Sequence, residues 1–171
     1  LANAPMDGIA LHQPWLAKIK ALIALGKVKL SLMVVFSGFV GAVVLLPVNY
    51  PVAHLVVFLC CSMAITMAAN AFNQIIERDV DVLMHRTRNR PLPMGQCQPW
   101  EAYIFVGLLA SLGALGLYFF FNALAAFCGL LSLLLYALVY TPLKRVSSLA
   151  VLVGAIPGAL PPLIGAIAIT G

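Results

Sequence analysis

Charged residues are scarce in this sequence, in which Asp, Glu, Lys and Arg together make up only 9% of 171 residues. An ordinary soluble domain carries about 25% charged residues and roughly 45–50% apolar ones. Here the apolar share is 63% and the mean hydropathy is +1.06, which excludes an ordinary water-soluble domain. The four cysteines also lack the CxxC spacing typical of metal or redox sites. The composition predicts an integral membrane protein.

The regular alternation of apolar and polar residues that marks membrane β-barrels is missing as well. The apolar runs are continuous, and helices are the segments that satisfy their own backbone groups in lipid. Because a spanning helix needs about 20 mainly apolar residues, the uncharged runs can be counted as spans. The sequence therefore predicts an all-α membrane protein with five spans, at about residues 30–47, 51–77, 101–121, 123–141 and 147–170.

Lysine and arginine are absent from most of the chain, and all ten fall before the first predicted span, between the second and third, or between the fourth and fifth. Five spans place these three segments on one side of the membrane. The positive-inside rule makes that side cytoplasmic, in a bacterial cytoplasmic membrane or, second in preference, the mitochondrial inner membrane. The net charge of +5 thus reflects topology, and we expect no nucleic-acid partner.

The first 28 residues are expected to form an N-terminal cytoplasmic segment ahead of a membrane domain at 29–171. Trp15, Ile19 and Leu22 recur at helical spacing, and Pro14 suits a first helical position. This pattern predicts an amphipathic helix lying in the membrane interface. An irregular lead-in to the first span is the alternative.

Charge is concentrated in one stretch, NQIIERDVDVLMHRTRNR, at residues 73–90. If the second span continues as a helix, Asn70, Asn73, Glu77 and Asp81 share a stripe roughly 80° wide, since each residue turns the helix by about 100°. Asp79 then points to the opposite side. Polar groups this deep in a span usually face a bundle interior or a water-filled cavity, which predicts a site on this face.

The chemistry of the stretch favours a diphosphate site at the membrane surface. Neighbouring carboxylates repel each other unless a cation is bound, and Mg²⁺ takes one or two carboxylates together with substrate phosphate oxygens. The arginines that follow have planar forks suited to phosphate. A structural cluster of ion pairs is the alternative that these residues leave open.

The same residues resemble a known family. Residues 73–81 (NQIIERDVD) and 84–93 (MHRTRNRPLP) resemble the first acid-rich motif of the UbiA superfamily of intramembrane prenyltransferases, usually written NxxxDxxxD. The ERDxD core, the YTPLKR segment at 140–145 and the PPLIG…TG ending at 161–171 are most similar to the haem O synthases, or protoheme IX farnesyltransferases. Glu77 stands where the motif has its first Asp, which keeps a carboxylate on a longer arm. The resemblance covers about residues 15–171, with Lys27-Val-Lys29 where the family often has Lys-Pro-Arg.

The resemblance implies a prenyltransferase that moves a farnesyl group from farnesyl diphosphate to a vinyl group of haem B. The product is haem O, for the biogenesis of haem A and terminal oxidases. It also implies a Mg²⁺ cofactor, a setting in the lipid bilayer, and haem A synthase or oxidase assembly proteins as candidate partners. Two alternatives stay open: an aromatic-ring prenyltransferase of the quinone pathway, and a non-catalytic membrane protein that binds haem or lipid.

Under this resemblance, the candidate catalytic residues are Asn73, Glu77 and Asp81. Glu77 and Asp81 would bind Mg²⁺, with Asp79 as a weaker third ligand or as a partner of a nearby arginine. The residues expected to bind diphosphate are Arg86, Arg90 and Lys144, together with Arg88 and Arg145. For Lys144 and Arg145, a role restricted to membrane topology is the alternative.

Neither the haem site nor the whole catalytic apparatus is predicted from these residues. His12, His54 and His85 are candidate axial ligands by residue type, and we expect each to be structural instead. Family members continue with further spans and a second acid-rich motif, whereas this sequence ends at Gly171 without one. We therefore expect the first half of such a bundle, inactive on its own.

Overall fold

The structure, a computed structural model, describes residues 14–171 and contains no strand within that range. The predicted all-α class is confirmed. The helices are α1 Pro14–Leu25, α2 Val28–Val44, α3 Val52–Asp81, α4 Pro99–Phe120, α5 Ala123–Leu134, a π-helical segment Leu135–Tyr140, α6 Thr141–Leu143 and α7 Ala150–Thr170.

Within residues 14–171, four helical stretches are long and apolar enough to cross a membrane: α3, α4, α7 and the run from α5 to α6. The fifth apolar helix, α2, has 17 residues. At 1.5 Å per residue it rises about 25 Å, somewhat less than the ~30 Å of a bilayer core. The protein is thus an integral, multi-pass membrane protein with roughly the predicted number of spans. The division at residue 28 and the placement of α1 in the membrane interface stay predictions.

Helix α3 is the centre of the bundle and packs against α2, α4 and α5, while α2 packs along α7. The α2–α7 contact is close because small residues let the two backbones approach, as is typical of membrane helices. A Cβ added at Gly165 would lie 2.7 Å from the Ala42 backbone nitrogen and closer still to the Gly38 carbonyl oxygen. Glycine at position 165 therefore holds α7 against α2, and this pair of helices forms one wall of the bundle.

Replacing Gly165 with Ala should destabilise the protein by about 1–3 kcal/mol, because the new methyl group meets backbone atoms that cannot rotate away. Gly158 in the same helix is the matched control, since a Cβ there has no atom within 4 Å. Gly158→Ala should be neutral or stabilising by up to about 1 kcal/mol, the difference in helix propensity. Melting temperatures in detergent measure both. Equal effects of the two substitutions would contradict the close α2–α7 contact.

The end of α5 is irregular, and this irregularity shapes the site. Pro142 has no N–H to continue the helix, and the preceding turn widens into a π-helical segment. The N–H of Thr141 donates to the carbonyl of Tyr136, five residues earlier. π-Helical turns occur often at functional sites. Here the turn brings Tyr136 and Tyr140 to the cavity lined by the end of α3, and it brings Thr141 to Asn73 of α3.

Candidate functional site

Helix α3 continues without a break to Asp81, so the polar stripe at its end is helical throughout. Asn70, Asn73, Glu77 and Asp81 all line one cavity of about 1460 Å³, which opens between α2, α3, α5 and α7. The cavity is polar at the end of α3 and apolar further along, where Ile65 of α3 contributes to its lining. It therefore has an acidic end joined to an apolar chamber.

Two basic side chains contact the acids of the stripe. The Arg90 guanidinium lies 2.6 Å from an Asp81 carboxylate oxygen and 3.9 Å from a Glu77 oxygen. The Lys144 ammonium lies 2.8 Å from the other Glu77 oxygen. The side chain of Asp81 is only 4% exposed and that of Glu77 only 13%. These four side chains, Glu77, Asp81, Arg90 and Lys144, form a partly buried ion cluster at the mouth of the cavity.

The loop after α3 folds back to present Arg90. The Thr87 hydroxyl is buried and donates to the Asp81 carbonyl oxygen at 3.2 Å. The Arg90 N–H in turn donates to the Thr87 carbonyl oxygen at 3.0 Å. The following Pro91 is buried, and further turns continue from it to Gly95. The arginine is therefore fixed by its backbone as well as by its ion pair.

Asn73 is joined to the opposite wall by a short chain of hydrogen bonds. Its amide nitrogen donates to the Thr141 hydroxyl at 2.8 Å, and that hydroxyl donates to the Tyr136 carbonyl oxygen at 2.8 Å. Asn73 and Thr141 are both buried. The Tyr136 ring stacks on Tyr140, and the Lys144 ammonium lies over the Tyr140 ring, 5.4 Å from its centroid. The hydrogen bonds through the Thr141 hydroxyl fix the Asn73 amide and connect α3 to the π-helical segment.

Sequence reasoning did not assign Thr141 or Lys27 to the site. Thr141 is a polar residue within the quoted YTPLKR segment, which is a signal that could have indicated it. Lys27 lines the cavity beside the ion cluster. The pKa of Lys27 is lowered to about 8, mainly because the side chain is buried. The nearby Arg90 charge also lowers this pKa, whereas Glu77 and Asp81 raise it. A bound anion would favour its charged form.

The remaining candidates are spread around the cluster. Arg86 lines the cavity and is exposed, and Arg88 is exposed. Arg145 also lines the cavity, where its guanidinium donates to the Ile76 carbonyl oxygen at 2.9 Å and so ties the segment after α6 to α3. Asp79 lies apart from the ion cluster, with its side chain 82% exposed and paired with Arg78 at 3.3 Å. Of the two roles considered for Asp79, the geometry favours partnership with an arginine.

Two of the three histidines lie within the described residues, at opposite ends of α3. His54 lies in the first turn of α3, beside the rings of Tyr50 and Phe121. Twenty-three residues of helix separate it from Glu77, which corresponds to about 35 Å. His85 is exposed in the loop after α3, and His12 lies outside the described residues.

The acids of the cluster fit a magnesium ion of the kind that shares its ligands with a substrate. Among residues 14–171 no group of three or more Cys, His, Asp or Glu side chains gathers into an all-protein metal cage. Mg²⁺ does not need one, because it typically binds one or two carboxylates and completes its shell with water and phosphate oxygens. Glu77 and Asp81 supply two hard oxygen ligands one helical turn apart on the cavity wall.

The family is shown by sequence comparison: the model of the UbiA prenyltransferase family matches residues 34–171. The chain belongs to the UbiA prenyltransferase family. It is 41% identical over 155 residues to the protoheme IX farnesyltransferase of Cytophaga hutchinsonii, covering 91% of this chain and 54% of that protein. It is 44% identical over 149 residues to the protoheme IX farnesyltransferase of Myxococcus xanthus, covering 87% and 50%. The chain thus spans about half the length of these curated relatives.

A solved structure supports the family assignment at the level of the fold. This chain superimposes on a chain from a structural study of digeranylgeranylglyceryl phosphate synthase with a TM-score of 0.79 and 20% sequence identity. The superposition covers 88% of this chain and 53% of the chain in that study. The five apolar helices described above thus form the first half of a UbiA-type bundle.

Proposed function

We propose that the whole protein transfers the farnesyl group of farnesyl diphosphate to a vinyl group of haem B, and so makes haem O. The observation that carries the proposal is the ion cluster at the mouth of a large, mainly apolar cavity. The UbiA relatives in Cytophaga hutchinsonii and Myxococcus xanthus, which share these helices, are protoheme IX farnesyltransferases.

The charges at the mouth suit a diphosphate with a divalent cation. Arg90 and Lys144 offer three or more N–H donors each, and the Arg90 fork matches two phosphate oxygens at once. Arg86 lines the same cavity and adds a further cation. These side chains would bind and orient the diphosphate, with Arg145 at the rim and the exposed Arg88 contributing charge at a distance. Asn73, fixed by Thr141, would orient the substrate beneath them.

Glu77 and Asp81 would hold Mg²⁺, which when bound supplies Lewis-acid stabilisation of the charge on the departing diphosphate. Arg90 and Lys144 stabilise the same charge from the protein side, because fixed cations in a site of low dielectric need no reorganisation during the reaction. In the proposed transfer the allylic C–O bond breaks and its electron pair leaves with the diphosphate. The vinyl π electrons form the new C–C bond and leave a cation on the other vinyl carbon. Water adds to that carbon and releases one proton to solvent, which gives the hydroxyl group of the product.

The apolar part of the cavity would hold the isoprenoid chain. Its lining includes Ile65 of α3, Leu133 of α5 and Ile164 of α7. A volume of about 1460 Å³ exceeds the roughly 300–1,000 Å³ of pockets for drug-sized ligands, so a long chain fits. The cavity walls would also keep water from the reactive carbon until the C–C bond has formed.

The proposed setting is the cytoplasmic membrane of a bacterium, with the ion cluster facing the cytoplasm. The three basic segments meet at one end of the bundle, where Lys27, Arg90 and Lys144 line the same cavity. Basic residues are retained on the cytoplasmic side, which orients this end inward. The matched relatives named above come from bacteria.

A product assay tests the proposed function. Membranes that contain the whole protein are supplied with farnesyl diphosphate, Mg²⁺ and either haem B or 4-hydroxybenzoate. We expect haem O by mass spectrometry with haem B and no prenylated product with 4-hydroxybenzoate. Prenylation of the benzoate alone would favour the quinone-pathway alternative. Absence of both products, with haem bound tightly, would favour a non-catalytic haem-binding protein.

A further inference from the structure

The turn between α1 and α2, residues 25–27, has an unusual backbone. Lys27 has φ 47° and ψ 59°, which is the left-handed helical region. Glycine adopts this conformation readily, and asparagine does so more often than other residues, whereas a lysine is uncommon there. A lysine keeps this unfavourable conformation only when neighbouring groups hold its backbone in place. The left-handed backbone then sets the direction in which the Lys27 side chain leaves the turn.

Three buried side chains hold this turn. The Gln74 amide nitrogen donates to the Leu25 carbonyl oxygen at 2.8 Å, and the Ser31 hydroxyl donates to the Gly26 carbonyl oxygen at 2.8 Å. Asn70 donates to the Ser31 hydroxyl at 3.0 Å. Gln74, Ser31 and Asn70 are each at most 3% exposed. Gln74 of α3 thus binds the Leu25 carbonyl, and Ser31 of α2, supported by Asn70 of α3, binds the Gly26 carbonyl immediately before Lys27.

One of these hydrogen-bonding side chains, Gln74, also buries a polar atom that has no partner in the described part of the chain. The amide oxygen of Gln74, Oε1, is buried and has no hydrogen-bond partner among residues 14–171. Burying an unpaired acceptor is unfavourable, so an apolar side chain would stabilise this position better if packing alone mattered. An amide side chain at position 74 is explained if its hydrogen bond to the Leu25 carbonyl oxygen is required.

The turn delivers Lys27 to the mouth of the cavity. Its side chain lines that cavity together with Glu77 and Asp81 of α3, Arg90 of the following loop and Lys144 after α6. Lys27 therefore faces the ion cluster from the α2 side, where neither Arg90 nor Lys144 is placed. An anion bound at the cluster would meet a further cation there.

We propose that Gln74, Ser31 and Asn70 are positioning residues that hold Lys27 in its left-handed conformation, so that its ammonium group contacts the diphosphate of the substrate. The inference rests on the proposed diphosphate site and adds to it a cation from the α1–α2 turn. The polar side chains of α3 then have two functions. Those at its last turns meet the substrate, and those one to three turns earlier set the position of Lys27.

A double-mutant cycle separates positioning from simple support of the fold. The affinity of the purified protein for farnesyl diphosphate with Mg²⁺ is measured for Lys27→Gln, Ser31→Ala and the double variant. Loss of a hydrogen bond to a charged group should weaken binding about tenfold in Lys27→Gln. Ser31→Ala should weaken binding several-fold in the wild-type background and have no effect when Lys27 is already Gln. Ser111→Ala, at an exposed position of α4, is the matched control and should bind as wild type does.

A second pair of variants covers the case in which Ser31→Ala does not fold. Gln74→Met removes the bond to Leu25 together with the unpaired oxygen, and should weaken binding only while Lys27 is present. Lys27→Gly should bind as weakly as Lys27→Gln while raising the melting temperature, because glycine adopts the backbone conformation without strain.

If Ser31→Ala or Gln74→Met lowered the affinity for farnesyl diphosphate equally with and without Lys27, the positioning role would be overturned. Native affinity in Lys27→Gln would overturn the contact with diphosphate. Failure of the wild-type protein to bind farnesyl diphosphate would instead contradict the proposed function itself.

Discussion

Asp81→Asn should lower the affinity for Mg²⁺ and farnesyl diphosphate together by at least about 100-fold, because removing even a residue that only supports a metal ligand costs 10–100-fold. Asp81 contributes a nearly buried carboxylate to the ion cluster, where the Arg90 guanidinium lies 2.6 Å away. The amide has the same shape but no charge, so the cavity mouth would hold a net excess of positive charge and a poorer metal ligand. Titration of the diphosphate with and without Mg²⁺, in detergent-purified protein, measures the loss.

Asp79→Asn provides the matched control for this substitution. It makes the same chemical change two residues away on the same helix, at a side chain that is 82% exposed and paired with Arg78. An exposed ion pair contributes little, so we expect affinity and melting temperature close to those of the unchanged protein. If Asp79→Asn weakened Mg²⁺-dependent binding as much as Asp81→Asn, Asp79 would be a metal ligand and the assignment to Glu77 and Asp81 would be incomplete.

Arg90→Gln should destabilise the protein in the absence of Mg²⁺ and also weaken diphosphate binding. Breaking a buried ion pair by removing one partner costs about 3–5 kcal/mol, since the other charge remains buried. At about 2–4 °C per kcal/mol for 150–250 residues, that corresponds to a fall of roughly 6–20 °C in melting temperature. The Asp81 side chain is 4% exposed, so Arg90→Gln would leave this carboxyl group buried without its main partner.

The same variant gives a test of the metal that does not depend on catalysis. With Arg90 absent, Mg²⁺ is the cation that can compensate Glu77 and Asp81, so added Mg²⁺ should restore much of the lost melting temperature. The rise should be larger than in the unchanged protein, where Arg90 already neutralises Asp81. Arg88→Gln, at an exposed position in the same loop, should change neither the melting temperature without Mg²⁺ nor its rise when Mg²⁺ is added. An equal effect of Mg²⁺ on both proteins would show that the two carboxylates do not bind the ion.

Much of the fold follows from the sequence because lipid leaves the backbone few options. Long uncharged runs must be helices, and their ends follow from local residues, such as the capping box of Gln98 and Glu101 that begins α4. The acidic stripe was predictable for a similar reason. Once α3 continues to Asp81, helical periodicity alone places Asn73, Glu77 and Asp81 on one face and Asp79 on another.

The parts of the site that the sequence did not predict depend on long-range packing. Asn73 and Thr141 are 68 residues apart, and their contact requires the π-helical turn that carries Thr141 toward α3. Lys27 lies in the Lys27-Val-Lys29 element that stands where the family often has Lys-Pro-Arg, but nothing local shows that its backbone is left-handed. That conformation depends on Gln74, whose bond to Leu25 joins residues 49 positions apart. Periodicity describes one helix, whereas a site built from three segments needs their arrangement in space.

Isothermal titration of the purified protein tests most directly whether the ion cluster is a Mg²⁺-dependent diphosphate site. Farnesyl diphosphate is titrated with Mg²⁺ and with a chelator, and farnesol is titrated as the ligand that shares the tail but lacks the diphosphate. We predict saturable binding of farnesyl diphosphate that is at least tenfold weaker without Mg²⁺, and much weaker binding of farnesol, since a tenfold change corresponds to about 1.4 kcal/mol. Equal affinity for the two ligands, or affinity that is independent of Mg²⁺, would show that the cluster is a structural set of ion pairs.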